Sequence, residues 1–177
     1  MNLDPQLDAL RSAIRDVPDF PKPGIVFKDI TTLLQDPALF RLALDMLAVL
    51  CAGLRVDKLV AIESRGFILG GALASHLGVG FVPVRKPGKL PWRARRASYD
   101  LEYGTDSLEM HEDALAAGEH VLVVDDVIAT GGTAKAVGTL TEGLGARVSG
   151  YLFLVELGFL KGRERLAGND VRSLIRY

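Results

Sequence analysis

The alternation of apolar and polar positions divides the chain into short buried runs separated by amphipathic stretches. Val121 to Val124 is continuously apolar, as expected of a strand covered on both faces, and it ends at the adjacent acids Asp125 and Asp126. From Thr133 onward, Ala134, Val137, Leu140 and Leu144 recur at spacings of three and four, the stripe of a helix lying on a sheet. Leu59–Ile62 predicts a second buried strand, running into Glu63-Ser64-Arg65-Gly66 and then a helix from Phe67 to Leu77 closed by Gly78. Gly80–Val84 and Val148–Leu157 predict two more strands. Asp4-Pro5 opens a short helix with Leu7, Leu10, Ile14 and Val17 on one face, and Asp36-Pro37 opens another that continues through Leu50 toward Gly53. Ser98–Gly104 and Asp106–Met110 alternate like the arms of a hairpin. Pro18–Asp29, with three prolines and Gly24, reads as an extended, ordered loop, and Gly158–Tyr177 as a mixed C-terminal extension. Strands alternating with helices predict an α/β fold, a mostly parallel sheet flanked by helices, with a hairpin as hood or edge.

Composition narrows the class. The 177 residues suit a single domain, 1–177, and 49% hydrophobic content with 24% charge excludes a disordered chain. A net charge of −1 gives no general reason to bind nucleic acid or a membrane surface. One cysteine, Cys51, falls in an apolar helix and reads as a buried structural thiol in a reducing compartment. No N-terminal stretch has the basic start and apolar centre of a signal peptide, so a cytoplasmic protein is expected. His76, His111 and His120 lack metal-ligand spacing.

The candidate chemistry lies where the strands end. Ala129, Thr130, Gly131, Gly132 and Thr133 join strand to helix without bulk, so backbone N–H groups at a helix N-terminus can reach a phosphate while two hydroxyls add donors. Asp125 and Asp126 cannot hold the same anion; two carboxylates there suit a sugar diol, or a magnesium ion accompanying a phosphorylated ligand. Glu63–Gly66 follows another strand, and strand ends in an open parallel sheet converge on one site, so Arg65 and Ser64 are candidates for a second phosphate. An isolated Ser-Arg-Gly would instead be an ordinary surface turn. Arg85 to Arg96 carries six basic residues, no acid, two prolines and a glycine. It reads either as a nucleic-acid arm or, better, as a lid over pyrophosphate, where cations stabilise a departing polyanion. Phe20, Ile25, Val26 and Phe27 either stack on a flat base or pin their loop to the core.

Taken together, Pro18–Asp29, Glu63–Phe67, Arg85–Pro91, Ala97–Gly104, Val123–Thr133, Leu154–Leu157 and Leu160–Arg163 resemble the adenine phosphoribosyltransferases over nearly the whole chain. The resemblance implies the type I phosphoribosyltransferase fold with a small N-terminal hood, an N-terminal helix and base-binding loop over 1–35, and a flexible hairpin lid over 85–104. It implies transfer of phosphoribose from phosphoribosyl pyrophosphate (PRPP) to N9 of adenine, giving AMP and pyrophosphate with Mg2+, by a cytoplasmic homodimer. Carried onto these positions, Ala129–Thr133 hold the 5′-phosphate and Asp125 and Asp126 the ribose hydroxyls. Glu63, Ser64, Arg65 and Gly66 form the pyrophosphate loop, where such proteins often have a non-proline cis peptide, and Arg65 and Lys89 bind pyrophosphate oxygens. Lys86 and Arg85 add only field, Tyr103 closes the lid, and Val26, Phe27 and Lys28 form the adenine pocket. Glu102 takes the N9 proton or stabilises the cationic sugar. No metal ligand is assigned directly, and Arg93, Arg95 and Arg96 have no role. A related enzyme for another base, or a PRPP sensor without turnover, are the alternatives.

Overall fold

The computed structural model describes residues 4–101 and 104–177, which fall into two compact units, 1–46 and 47–177. In the first, α1 (Asp4–Ala13) leads into β1 (Arg15–Pro18), which pairs antiparallel with β2 (Val26–Asp29); α2 (Thr31–Gln35) and the start of α3 (Pro37–Leu50) follow. Val17 therefore lies in a strand and not on the predicted helix, because Pro18 disfavours helical backbone at the residue before it. The expected loop also gains a strand, since the Asp19 carboxylate accepts the Gly24 N–H at 2.7 Å and closes the turn that brings β2 back. Leu10, Ile14, Ile30 and Leu33 are its buried core. Asp36 caps α3 as its sequence predicts, accepting the Ala38 and Leu39 N–H groups at 2.8 and 3.0 Å.

The second unit is built on a five-stranded sheet. Its strands are β3 (Lys58–Ile62), β4 (Gly80–Val84), β7 (His120–Ile128), β8 (Arg147–Glu156) and β9 (Val171–Arg176), all parallel, in the order β4-β3-β7-β8-β9. Both faces are covered, which is why the central strands β3, β7 and β8 carry unbroken apolar runs. On one face Val60, Val123 and Phe153 meet Val137 and Leu140 of α5 (Gly132–Gly143) and Leu108 and Met110 of the hairpin. On the other, α4 (Arg65–Leu77) lies close enough that a Cβ on Gly70 would come within 2.5 Å of the Ala61 methyl. The hairpin pairs β5 (Ala94–Leu101) with β6 (Gly104–His111). The predicted basic excursion is thus irregular only as far as Arg93; Arg95 and Arg96 belong to a strand. The C-terminal extension likewise contains the sheet's fifth strand, β9, reached through two 3-10 turns, Gly158–Leu160 and Gly162–Leu166.

Chain direction across this sheet locates the site. From β3 the chain moves outward to β4, then returns to place β7 on the other side of β3 and continues through β8 to β9. Order reverses between β3 and β7, and at such a point the loops leaving the two strands diverge and open a crevice at their C-terminal ends. Glu63–Gly66 and Ala129–Thr133 are those loops. No helix among the described residues is long and apolar enough to cross a membrane.

Candidate active site

Backbone conformation shapes the first wall of the crevice. Gly131 caps α5 with φ +79°, a left-handed conformation open to glycine at little cost, so that the chain leaves β7 and turns directly into the helix. Ala129, Thr130, Gly131 and Thr133 line a cavity of about 90 Å³ together with Asp125 and the apolar Val127, Ile128, Ala134 and Phe153. A helix start with no side-chain cap beside a small cavity suits a phosphate group.

The acidic pair stands within β7 itself, near its C-terminal end, not in the loop after it. Its two carboxylates are treated differently. Asp126 is buried and ion-paired with the Arg65 guanidinium, so the end of β7 is joined to the start of α4 across the crevice. Asp125 accepts the Asp126 N–H at 2.9 Å, and a Cβ on Gly66 would come within 2.6 Å of its Oδ1, so only glycine lets the second loop approach. Burial holds the Asp125 carboxyl well above the usual range, and the neighbouring Asp126 charge raises it further. A carboxyl in that state is suited to hydrogen-bonding sugar hydroxyls.

The opposite wall depends on side chains. The Glu63–Ser64 peptide is cis, as the resemblance implied, and α4 begins at Arg65. Glu63 gathers the base of the basic segment: its carboxylate accepts Arg85 Nε at 2.9 Å, the Lys86 N–H at 3.0 Å and Lys89 Nζ at 3.2 Å. Burial acts to raise its pKa, but these three donors together bring it below the ordinary value. Lys86 Nζ is ion-paired with Asp106, to which the Tyr99 hydroxyl also donates at 3.2 Å. Thr133 in turn donates to the Tyr99 oxygen at 3.4 Å, connecting the hairpin with the phosphate cavity.

Glu63, Arg65, Lys86, Lys89, Asp125, Asp126 and Ala129–Thr133 are thus assembled around one crevice. Val26, Phe27 and Lys28 belong to the first unit, where Phe27 packs edge-on against Phe20 with centroids 5.3 Å apart and Lys28 pairs with Asp16 at 2.6 Å. Glu102 and Tyr103 lie outside the described residues. Among the described residues no group of three or more His, Cys, Asp or Glu is placed to hold a metal ion.

Several participants escaped sequence reasoning. Arg85 is a principal partner of Glu63 and not only a source of field. Glu109 accepts Arg96 Nη2 at 2.7 Å and the Gly88 N–H at 2.9 Å, and Arg95 donates to the Gly143 carbonyl at 2.6 Å, tying the hairpin to the end of α5. The signal for Tyr99–Asp106 and Arg96–Glu109 was present as register: both are directly opposed pairs of the antiparallel strands β5 and β6.

Comparison with known proteins agrees with this geometry. The profile of the phosphoribosyl transferase domain family matches residues 30–161. The adenine phosphoribosyltransferase of Maridesulfovibrio salexigens is 55% identical over 166 residues, covering 94% of this chain and 98% of that protein. The crystal structure of adenine phosphoribosyltransferase from Thermoanaerobacter pseudethanolicus superposes with a TM-score of 0.95 at 52% identity, over 97% of this chain and 99% of that one. The Saccharomyces cerevisiae enzyme, solved with an imino-altritol bisphosphate and adenine, gives 0.90 at 43% identity over 97% and 99%. The fold, the crevice and these relatives together make the chain a member of the adenine phosphoribosyltransferase family.

Proposed function

We propose that this chain transfers the phosphoribosyl group of PRPP to N9 of adenine, releasing pyrophosphate and forming AMP in purine salvage. The observation that carries the reading is the meeting, at the sheet's reversal point, of a glycine-turned phosphate cavity with an acidic pair and a cation-bearing loop. Ala129–Thr133 bind the 5′-phosphate through backbone N–H groups and hydroxyls. Asp125 and Asp126 hold the ribose hydroxyls. Arg65, Lys86 and Lys89, with Ser64 and the Glu63 loop, receive pyrophosphate, which must displace carboxylates from these cations or share them.

In the reaction the C1–O bond to pyrophosphate breaks, its electrons leaving with the phosphate oxygens, while the N9 lone pair forms the new C1–N9 bond and the N9 proton departs. Arg65 and Lys89 stabilise the charge gathering on the leaving group. Glu102 accepts the proton or stabilises the cationic sugar. Val26, Phe27 and Lys28 recognise adenine, Tyr103 closes the site, and residues 85–104 serve as its lid. One carboxylate of the acidic pair is engaged by Arg65 and the other is raised toward its neutral form, a donor set that fits Mg2+ carried on PRPP oxygens better than an ion held by protein alone. When bound, such an ion would supply positive charge to offset the negative charge of pyrophosphate. The working form is a cytoplasmic homodimer.

The test is PRPP- and Mg2+-dependent nucleotide formation with adenine, hypoxanthine, guanine, xanthine and orotate offered separately. AMP from adenine alone is expected. Turnover of another base overturns the adenine pocket, and PRPP binding without turnover overturns the enzyme reading. Glu102→Ala should lower turnover on the order of 10²-fold with PRPP binding kept; unchanged turnover removes Glu102 from the mechanism.

A further inference from the structure

Gly162, thirty residues past the phosphate motif, presses on that motif's backbone. A Cβ on Gly162 would run into the Ala129 carbonyl and come within 2.9 Å of Ile128 Cγ1, and a Cβ on Gly131 would run into the Gly162 carbonyl. The two backbones meet with no side chain between them, an approach that requires glycine on each side. Gly162 follows Lys161, which is left-handed at φ 54°, and opens the 3-10 turn that ends at the buried Leu166.

Arg163 holds this turn. Its Nε and Nη2 donate to the two oxygens of Glu156 at 3.2 and 2.6 Å, its Nη1 donates to the Val171 carbonyl, and its Nη2 also reaches Ser173 Oγ at 3.3 Å. Ser173 Oγ donates to Glu156 at 2.5 Å. Glu156 ends β8 and is only 3% exposed, so a charged group is buried here with all its partners supplied. Stability alone is a weak reason for that, because packed apolar residues commonly replace a buried ion pair without loss. A bidentate fork does what an apolar pair cannot, fixing the direction of Arg163 and hence of the residue before it. The other side of the loop is also tied to this end of β8, since the Leu157 N–H donates to the Ile128 carbonyl at 3.0 Å.

We propose that Glu156 and Arg163 form a buckle that holds Gly162 against the Ala129–Gly131 backbone, making Arg163 and Gly162 positioning residues for the 5′-phosphate of PRPP. The inference rests on the reading of Ala129–Thr133 as the 5′-phosphate loop. Neither residue supplies a ligand group; they set the curvature of a loop whose N–H groups must converge on one anion.

The test separates the two ends of PRPP. Ribose 5-phosphate and pyrophosphate are used as competing ligands against PRPP with Arg163→Ala, Arg163→Lys and Gly162→Ala, alongside melting temperatures. Arg163→Ala and Gly162→Ala should each raise KM for PRPP and weaken ribose 5-phosphate inhibition by about tenfold or more, with pyrophosphate inhibition and KM for adenine within about twofold. Arg163→Lys, which keeps the charge and loses the fork, should fall between. Unchanged ribose 5-phosphate inhibition, or equal weakening of both ligands, overturns the buckle and leaves a structural ion pair. If Arg163→Ala does not fold, Arg163→Lys decides, because it keeps a charge beside Glu156 and removes only the fork. Failure of the unaltered protein to bind ribose 5-phosphate would instead break the parent reading of the loop.

Discussion

The Ala129–Thr133 end of the crevice is shaped by backbone, whereas the Glu63–Lys89 end is shaped by side chains that already have partners. The first end is shaped by Gly131 at φ +79° and rests on the buried face formed by Val123, Val137 and Phe153. Among the described residues that line its cavity, none is in an ion pair. The second end is a set of ion pairs, Glu63 with Arg85 and Lys89, Asp126 with Arg65, and Asp106 with Lys86. On the proposed reading, pyrophosphate arriving there would gain only the difference between its own attraction for the cations and that of the carboxylates it disturbs. One end is preorganised; the other works by exchange.

Changes to the preorganised end should have the largest effects. Gly131→Ala places a methyl group where the Gly162 carbonyl stands, on a backbone that disfavours side chains. Its kcat/KM for PRPP should fall about 10²-fold while pyrophosphate still binds, and near-normal kcat/KM would show that the loop is not preorganised. At the exchange end Arg65→Lys retains charge but loses the fork that can span Asp126 and an incoming phosphate. A loss of roughly tenfold in PRPP affinity is expected by titration calorimetry, and no loss would mean that Arg65 serves only Asp126.

Salt distinguishes the ends without mutation. Pyrophosphate binding among half-exposed cations should weaken several-fold, by about 0.5 to 1 kcal/mol, between low and physiological ionic strength. Ribose 5-phosphate, held by backbone dipoles in a small cavity, should weaken less. Equal salt slopes for the two ligands would erase the distinction between the ends.

How much of this was legible in the sequence follows from how local each feature is. Val121–Thr133 carries strand, acids, turn and helix in one uninterrupted segment, and its reading needed no tertiary information. The strand Val171–Arg176 did not announce itself because Val-Arg-Ser-Leu-Ile-Arg lacks two-residue alternation, and its place at the sheet edge leaves Arg172 and Arg176 tolerable. Arg15–Pro18 was hidden by a helical apolar spacing that continues past the true helix end at Ala13. In the site, Glu109 and Asp106 matter through residues opposite them in the hairpin, so their roles depend on register and not on neighbours in sequence. Gly162 is further removed still, a single glycine whose importance lies in the backbone it touches.

Acid should separate the two ends with the smallest but most selective effect. Asp106 and Glu109 are both held below the ordinary carboxylate range, Asp106 chiefly by its hydrogen bond from Lys86 and Glu109 chiefly by that from Arg96. A depressed folded pKa means that these pairs contribute their full stabilisation above the unfolded carboxyl values, and lose it as pH falls through the lower folded values. Asp125 has the opposite sign: burial raises its pKa, so the cost of keeping it charged is relieved as pH falls. Below about pH 4 the hairpin should therefore loosen while the β7–α5 loop holds. Hydrogen exchange followed from pH 7 down to 3, corrected for its intrinsic rate, reads this directly. Protection in β5 and β6 should decline before protection in α5. Simultaneous loss would mean that the Lys86–Asp106 and Arg96–Glu109 pairs do not hold the hairpin. An earlier loss in α5 would mean that the glycine-turned end, with its raised carboxyl, is the less stable of the two.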